Sequence, residues 1–368
     1  MTFEDAIGPE RILHVYDPIT GMHGVAVVDN TALGPGKGGV RLQPDVTTEE
    51  VFGLARAMTW KNALAGIPFG GAKSGIKAPG NAKNKAELIA AFARAIKPLV
   101  PEYYIPGPDM NIGESEMAIL ANTIGTPKAA TGKPSSMGGL PHELGSTGFG
   151  VALSTEVALE HKKIALNGAT IAIEGFGNVG TFTMKFLTEK GAKVVAVSDS
   201  KGTVYLEGGL NYETLMATKK EKGTVIAYPG AKVLDAGALF ATKCDVLVPG
   251  ARPNVIHVGN VEKVNAKIVV EAANIPMTPE IEHNLEKRGV LVIPDFVANA
   301  GGVISSYVEF KGGSEKEMFS MVREKITHNT RLVLERTRNN DTRTAALTIA
   351  EERVIAAMEK RAGVKIRK

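Results

Sequence analysis

Cysteine is almost absent from this chain, with Cys244 the only one in 368 residues. A single thiol excludes an internal disulfide, suits a reducing compartment and removes the cysteine-rich zinc sites. Histidine is scarce too. The seven histidines include no His-x-x-x-His pair, so no metal is expected. Aromatic residues make up only 5%, and lysine and arginine are dispersed, so nucleic acid is not an expected partner despite a net charge of +4. No apolar run approaches the ~20 residues of a membrane-spanning helix. The opening MTFEDAIGPE is acidic and polar, unlike a secretory signal. A cytoplasmic protein without membrane association is the expectation. Hydrophobic content of 44% and charged content of 22% are ordinary for a globular chain, and the length suffices for two domains.

Glycine, by contrast, is plentiful, and the chemistry clusters around it. Met58–Pro79, MTWKNALAGIPFGGAKSGIKAP, carries Lys61 and Lys73. Thr47 and Glu50 have capping-box spacing, and Val51, Leu54, Ala55 and Met58 recur at helical spacing, so Lys61 falls in the last turn or just beyond. Pro68 and the glycines then end the helix. Lys73 lies among Gly70, Gly71 and Gly75, next to Phe69. Partial desolvation there lowers a lysine pKa toward neutrality and equips it as a base or an activator of water. A solvated lysine in a flexible loop is the plain alternative. Upstream, LGPGKGGVRLQPDV holds Lys37 between Gly36 and Gly38; downstream, YYIPGPDMNIG holds Asp109 between Pro108 and Met110. Three lysines in separate loops or helix ends, followed by one carboxylate, can grip a dicarboxylate and move protons.

Strands are predicted at Ile12–Tyr16, Gly24–Val28 and Val40–Leu42, and helices after a cap at Asn84 and around Met117–Ile124, an alternation that reads as α/β. Thr131–Gly150, dense in Gly, Pro and Ser, reads as a connector between domains. After a helix around Val151–His161, Ala169–Glu174 reads as a buried strand leading into GFGNVG, with Gly175, Gly177 and Gly180. A helix follows, with Gly191 as its C-cap, and the next strand ends at Asp199, about 20 positions on, as the dinucleotide fingerprint requires. Asp199 can accept from a ribose 2′-hydroxyl, favouring NAD; Ser198, Ser200 and Lys201 can equally hold a 2′-phosphate. Strand-like runs at Val246–Val248, Ile268–Glu271 and Val290–Ile293 continue the pattern of an open parallel sheet. The last stretch is helical, with stripes at Met318, Met321, Val322 and Ile326, then Ala346, Ile349, Ala350 and Ala357, separated by RTRNNDTRT.

In this order the segments resemble the glutamate/leucine/phenylalanine/valine dehydrogenase family, through nearly the whole chain. The resemblance implies an α/β fold of two domains with a cleft between them. Residues 1–140 would form a substrate-binding and oligomerisation domain, 141–325 a Rossmann-like dinucleotide-binding domain, and 326–368 C-terminal helices packing back on the first. It implies that Lys61 binds the substrate α-carboxylate, Lys73 activates the water or carbinolamine, and Asp109 shuttles protons. Gly38, Thr147, Asn299 and Val303 would contact substrate, with Asn299-Ala300-Gly301-Gly302 beside the nicotinamide. Ser306 lies two helical turns after Asn299. In the glutamate-specific branch a serine there joins the lysine matching Lys37 on the side-chain carboxylate. Gly175, Phe176, Gly177, Asn178, Val179, Gly180, Asp199, Ser200 and Asn274 would bind NAD or NADP, with Asn274 on the nicotinamide ribose. The chain departs from the familiar glutamate enzymes at PHEL, 141–144.

The function this implies is reversible NAD(P)-dependent oxidative deamination of L-glutamate to 2-oxoglutarate and ammonia, in a homohexamer. A branched-chain or aromatic amino-acid dehydrogenase is the alternative, because ERILHVYDPITGMHGVAVVDNTALGPGKGG looks closer to the leucine enzymes. Those enzymes carry an apolar residue at the position of Lys37. A buried ammonium facing a leucine side chain would be unpaired and costly. A non-catalytic nucleotide-binding regulatory subunit is the reading from another class, and the Lys61, Lys73 and Asp109 set argues against it.

Overall fold

The computed structural model describes residues 3–141 and 144–363. His142 and Glu143 of the PHEL departure lie outside the described residues. The chain forms two compact units, the first comprising the chain to Leu144, Val303–Met318 and the residues from Leu347 on.

In the first unit, β1 (Arg11–Asp17) and β2 (Met22–Asn30) pair antiparallel across a tight turn at Gly21. Then come β3 (Gly36–Gln43), α1 (Thr48–Ala65), β4 (Gly70–Lys77), α2 (Lys85–Ile96), β5 (Tyr104–Pro108) and α3 (Glu114–Ile124). The sheet order is β1-β2-β4-β3-β5, antiparallel as far as β4 and parallel through β4, β3 and β5. Helix α1 buries Val51 and Ala55 against Val25 and Val27 on one face. On the other face, Ile89, Phe92, Met117 and Leu120 of α2 and α3 meet Val28, Leu42 and Ile76.

Four local expectations change here. The Gly-rich surroundings of Lys37 and Lys73 predict loops, but both lysines stand on buried strands, β3 and β4. Those glycines serve close packing rather than turns: a β-carbon on Gly71 would come 2.1 Å from Thr59 Oγ1 of α1. For the same reason the third strand is longer than Val40–Leu42. Thr47 does cap α1, its hydroxyl accepting from the Glu50 amide at 3.1 Å, while the Glu50 carboxylate pairs with Arg41 instead of closing the box. Asn84 makes no side-chain cap bond. Its φ of −97° and ψ of 25° differ from the extended conformation that turns a cap toward the helix amides.

The second unit holds α4 (Ser146–His161), β6 (Thr170–Glu174), α5 (Asn178–Thr188), β7 (Lys193–Asp199), β8 (Gly202–Tyr205), α6 (Tyr212–Lys222), β9 (Lys232–Leu234), β10 (Cys244–Pro249), β11 (Ala266–Val270), α7 (Pro279–Lys287), β12 (Leu291–Ile293) and α8 (Asp295–Ala298). Its sheet runs β12-β11-β10-β6-β7-β8-β9, parallel from β12 to β7. The antiparallel strands β8 and β9 escape the sequence reading; Gly202, at φ +157°, turns the chain straight back from β7. Gly191 sits at φ +88° beyond α5, as expected of a helix-ending glycine. Strand order reverses between β6 and β10, which creates a crevice at their carboxyl ends.

Three helices complete the chain: α9 (Gly301–Phe310), α10 (Glu315–Arg336) and α11 (Thr342–Ala362). Met318, Val322, Ile326, Ala346, Ile349 and Ala350 are buried, whereas Met321 and Ala357 are only partly so. Within the first unit, Arg353 donates to the carbonyls of Ala63 and Leu64 at the end of α1, at 3.0 and 2.7 Å. Among the described residues, no helix is long and apolar enough to cross a membrane, and no group of three His, Cys, Asp or Glu could hold a metal.

Candidate active site

Side chains alternate along a strand, so Lys37, Gly39 and Arg41 of β3 share one face. The register sets Lys37 beside Gly71 and Val40 beside Ser74, which brings Lys73 of β4 next to Gly39. A β-carbon on Gly39 would come 2.7 Å from Cβ of Asp109, so the glycine makes room for the carboxylate that follows β5. Lys73 Nζ lies 2.9 Å from Asp109 Oδ2, and Arg41 Nε donates to the same oxygen at 3.0 Å. Burial pulls the Lys73 pKa down, and Asp109 only partly offsets it. For Asp109, burial pushes the pKa up, but Lys73 and Arg41 outweigh it and hold the carboxyl below its usual value. The result is a sheltered ion pair between which a proton can move. Arg41 escapes the sequence reading. Its signal is the strand period, four residues after Lys37.

Lys37 is only 4% exposed. Its Nζ lies 2.3 Å from the position a β-carbon on Gly107 would take, and Thr131 Oγ1 lies 3.4 Å from that same point. Thr131 is fully buried and its hydroxyl has no hydrogen-bond partner among the described residues. Burial lowers the Lys37 pKa to about 7, with Lys73 and Lys133 repelling its charge and Glu309 attracting it. A buried ammonium and an unsatisfied buried hydroxyl, both beside Gly107, can together hold an oxygen-rich anion such as a carboxylate. Thr131 too goes unread in the sequence, hidden in what looks like a connector.

The other expected substrate residues of this unit are more dispersed. Lys61 is half-buried near the C-terminal end of α1. Gly38 is buried, and sheet packing alone demands it, since a β-carbon there would lie 1.6 Å from the Ala72 carbonyl oxygen. Val303 and Ser306 are half-buried on α9, and no hydrogen bond among the described residues joins Ser306 to Lys37. Thr147 and Asn299 belong to the second unit, Thr147 in the first turn of α4.

There, the Gly-rich turn divides its work. Gly175, at φ +89°, makes the turn, and a β-carbon on Gly180 would strike the Gly175 carbonyl oxygen at 2.0 Å. Gly177 differs: a β-carbon there meets nothing within 4 Å. Beside it α5 begins with Asn178 and Val179, while Phe176 is buried in the turn. An open glycine at a helix N-terminus, set in the switch-point crevice, fits a dinucleotide pyrophosphate. Glu174, read in the sequence only as the end of the strand, accepts from the amides of Gly250 and Ala251 at 3.0 and 2.8 Å. Asn299 and Asn274 do come together: Asn299 Nδ2 donates to Asn274 Oδ1 at 3.0 Å and to the Ala272 carbonyl at 3.2 Å. Ser200 is exposed. Asp199 is committed to protein donors. Oδ2 accepts from Lys219 Nζ at 2.7 Å and the Val225 amide at 2.9 Å, Oδ1 from the Lys201 amide at 2.9 Å and Thr224 Oγ1 at 3.2 Å.

Comparison with known proteins shows the family. Residues 138–362 match the family described as Glutamate/Leucine/Phenylalanine/Valine dehydrogenase, and 9–126 match its dimerisation domain. The chain is 38% identical to a glutamate dehydrogenase of Aeropyrum pernix, across 98% of this chain and 93% of that protein. It is likewise 38% identical to an NADP-specific glutamate dehydrogenase of Saccharolobus shibatae, across 98% and 92%. The hetero-hexameric glutamate dehydrogenase of Thermus thermophilus, in a Leu-bound form, superposes with a TM-score of 0.84 at 30% identity, covering 96% of this chain and 90% of that one. The chain therefore belongs to the Glutamate/Leucine/Phenylalanine/Valine dehydrogenase family, and is an NAD(P)-dependent amino-acid dehydrogenase acting on a CH–NH2 group.

Proposed function

We propose that the substrate is L-glutamate, deaminated reversibly to 2-oxoglutarate and ammonia. The observation that carries this reading is the buried Lys37 ammonium, which lies beside Gly107 together with the orphaned Thr131 hydroxyl. A γ-carboxylate satisfies both groups; an aliphatic side chain satisfies neither. The relatives named glutamate dehydrogenases point the same way. Ser306 supplements Lys37 on the side-chain carboxylate, with Gly38 and Val303 lining that end. Lys61 holds the α-carboxylate and so orients Cα, while Thr147 and Asn299 contact substrate. The nicotinamide, when bound, supplies the hydride acceptor. Lys73 then activates the water that adds to the substrate imine, and Asp109, 2.9 Å away, takes and returns protons as ammonia leaves.

The dinucleotide is held by the turn Gly175–Gly180 and by Asn274, with Asp199 and Ser200 near its adenosine ribose. An ionised carboxylate has about four lone-pair sites, and four protein donors already fill those of Asp199. That supports acceptance of NADP, because Asp199 has no acceptor left for a ribose 2′-hydroxyl. Residues 1–140 serve substrate binding and assembly, 141–325 the dinucleotide, and 326–368 form the C-terminal helices of a cytoplasmic homohexamer. The hetero-hexameric relative from Thermus thermophilus supports an assembly of six subunits, though its subunits are not all alike.

A second reading, a branched-chain or aromatic amino-acid dehydrogenase, draws on the Lys37 pKa of about 7, since a neutral amine tolerates an apolar neighbour better than an ammonium. A substrate panel with NAD and NADP decides. Glutamate should exceed leucine by at least about a hundredfold in kcat/KM. A preference for leucine, valine or phenylalanine would overturn the glutamate reading.

A further inference from the structure

Near Lys37 stands a buried ion pair to which the proposed chemistry gives no task. Lys133 Nζ lies 2.5 Å from Glu309 Oε1, and the two side chains are 4% and 1% exposed. Glu309 also accepts from the amides of Gly132 at 2.9 Å, Leu140 at 3.0 Å and Lys133 at 3.4 Å. One carboxylate on α9, a single turn after Ser306, thus gathers both ends of the segment 132–140. Lys133 Nζ donates in addition to the Ala130 carbonyl at 2.5 Å. Thr131, whose hydroxyl lies beside Gly107 as the Lys37 ammonium does, sits between these anchored residues.

An ammonium as buried as Lys37 sheds its proton unless a negative charge stands near. The charged groups facing it are Glu309 from α9, Lys73 from β4 and Lys133 from the connecting segment. Of these, only Glu309 favours the charged form. We propose that Glu309 is a positioning residue of the side-chain subsite: it fixes the Thr131 segment and keeps Lys37 protonated until the substrate's own carboxylate arrives, with Lys133 tempering its charge. This rests on the reading of Lys37 as the partner of that carboxylate.

A pH dependence follows. Folding depresses the Lys37 pKa to about 7, so its charge is present below that pH and lost as pH rises through it. KM for a dicarboxylate therefore rises on the alkaline side, and KM for an apolar substrate has no such limb. The test measures KM for glutamate and for leucine from about pH 6 to 9 in wild type, Glu309→Gln and Lys133→Gln. Glutamine keeps an acceptor for the backbone amides but removes the charge. The glutamate limb should move about one unit lower in Glu309→Gln and about one unit higher in Lys133→Gln, with kcat changing far less than KM. Glu309→Asp should restore the wild-type limb. A merely loosened pocket raises KM in both variants alike, so limbs that stay put or move in the same direction overturn the proposal. Should Glu309→Gln fail to fold, a limb in Lys133→Gln that stays or falls overturns it alone. Wild-type protein unable to use glutamate overturns both readings; glutamate turnover with unmoved limbs overturns only the role of Glu309.

Discussion

Lys73 Nζ and Asp109 Oδ2 lie 2.9 Å apart on a sheet face where Gly39 leaves the space that Asp109 fills. An ammonium depressed by burial and a carboxylate held ionised by two cations can exchange a proton without either becoming stranded. Lys73→Met and Asp109→Asn should each lose at least about three orders of magnitude in turnover while the fold survives. Steady-state kinetics with circular dichroism as a fold control checks this; either variant keeping more than roughly a tenth of turnover would refute the roles assigned. Lys73 must be deprotonated to activate water, and its pKa is lowered, so the acid limb of kcat/KM should fall below the ordinary lysine value of about 10.4.

Lys37 and Ser306 should govern the choice of amino acid. Lys37→Leu with Ser306→Val removes the polar groups that penalise an apolar side chain, and leaves Lys61, Lys73 and Asp109 in place. The double variant should prefer leucine over glutamate and lose at least about a hundredfold in kcat/KM for glutamate. A double variant that still favours glutamate would place the side-chain subsite elsewhere.

Gly107 should matter through Lys37 rather than through stability. A methyl group on it would sit 2.3 Å from Lys37 Nζ, the far end of a flexible chain that can move aside. Gly107→Ala should therefore keep the melting temperature within a few degrees while kcat/KM for glutamate falls at least about tenfold. An unchanged value would mean that the ammonium is free to choose another position without consequence.

Two glycines of one turn should fail differently. A β-carbon on Gly177 meets nothing within 4 Å among the described residues, so in Gly177→Val the fold should persist and dinucleotide affinity should collapse, as read by fluorescence titration. Gly180→Val drives a β-carbon to 2.0 Å from the Gly175 carbonyl and should destabilise the second unit itself. If both variants lost stability equally, the open space at Gly177 would have no bearing on ligand binding.

Lys219→Ala should release one lone pair of Asp199 and remove a cation beside it. The ratio of kcat/KM for NADP over NAD should fall at least about tenfold, because the freed carboxylate accepts a ribose hydroxyl and repels a 2′-phosphate. A ratio that rose or held steady would show that Asp199 takes no part in the choice.

Much of this molecule is written in local pattern. The alternation of strands and helices, the order strand–GFGNVG–helix–Asp199 and the lysines of the first unit rest on short-range chemistry: periodicity, glycine spacing and caps. Glycine itself is ambiguous on that scale. Around Lys37 and Lys73 it reads as loop because turns need it, yet it serves β3 and β4, where a helix and a carboxylate approach too closely for a β-carbon. Only the packed sheet could settle which use applies. Arg41 and Glu309 became legible through pairing across strands and segments far apart in sequence, as did the four donors that occupy Asp199, and Thr131 through burial without a partner among the described residues. A sequence specifies which groups are available. Whether a hydroxyl is buried without a partner, or a carboxylate is already filled, is decided by what the fold brings within hydrogen-bond reach of it.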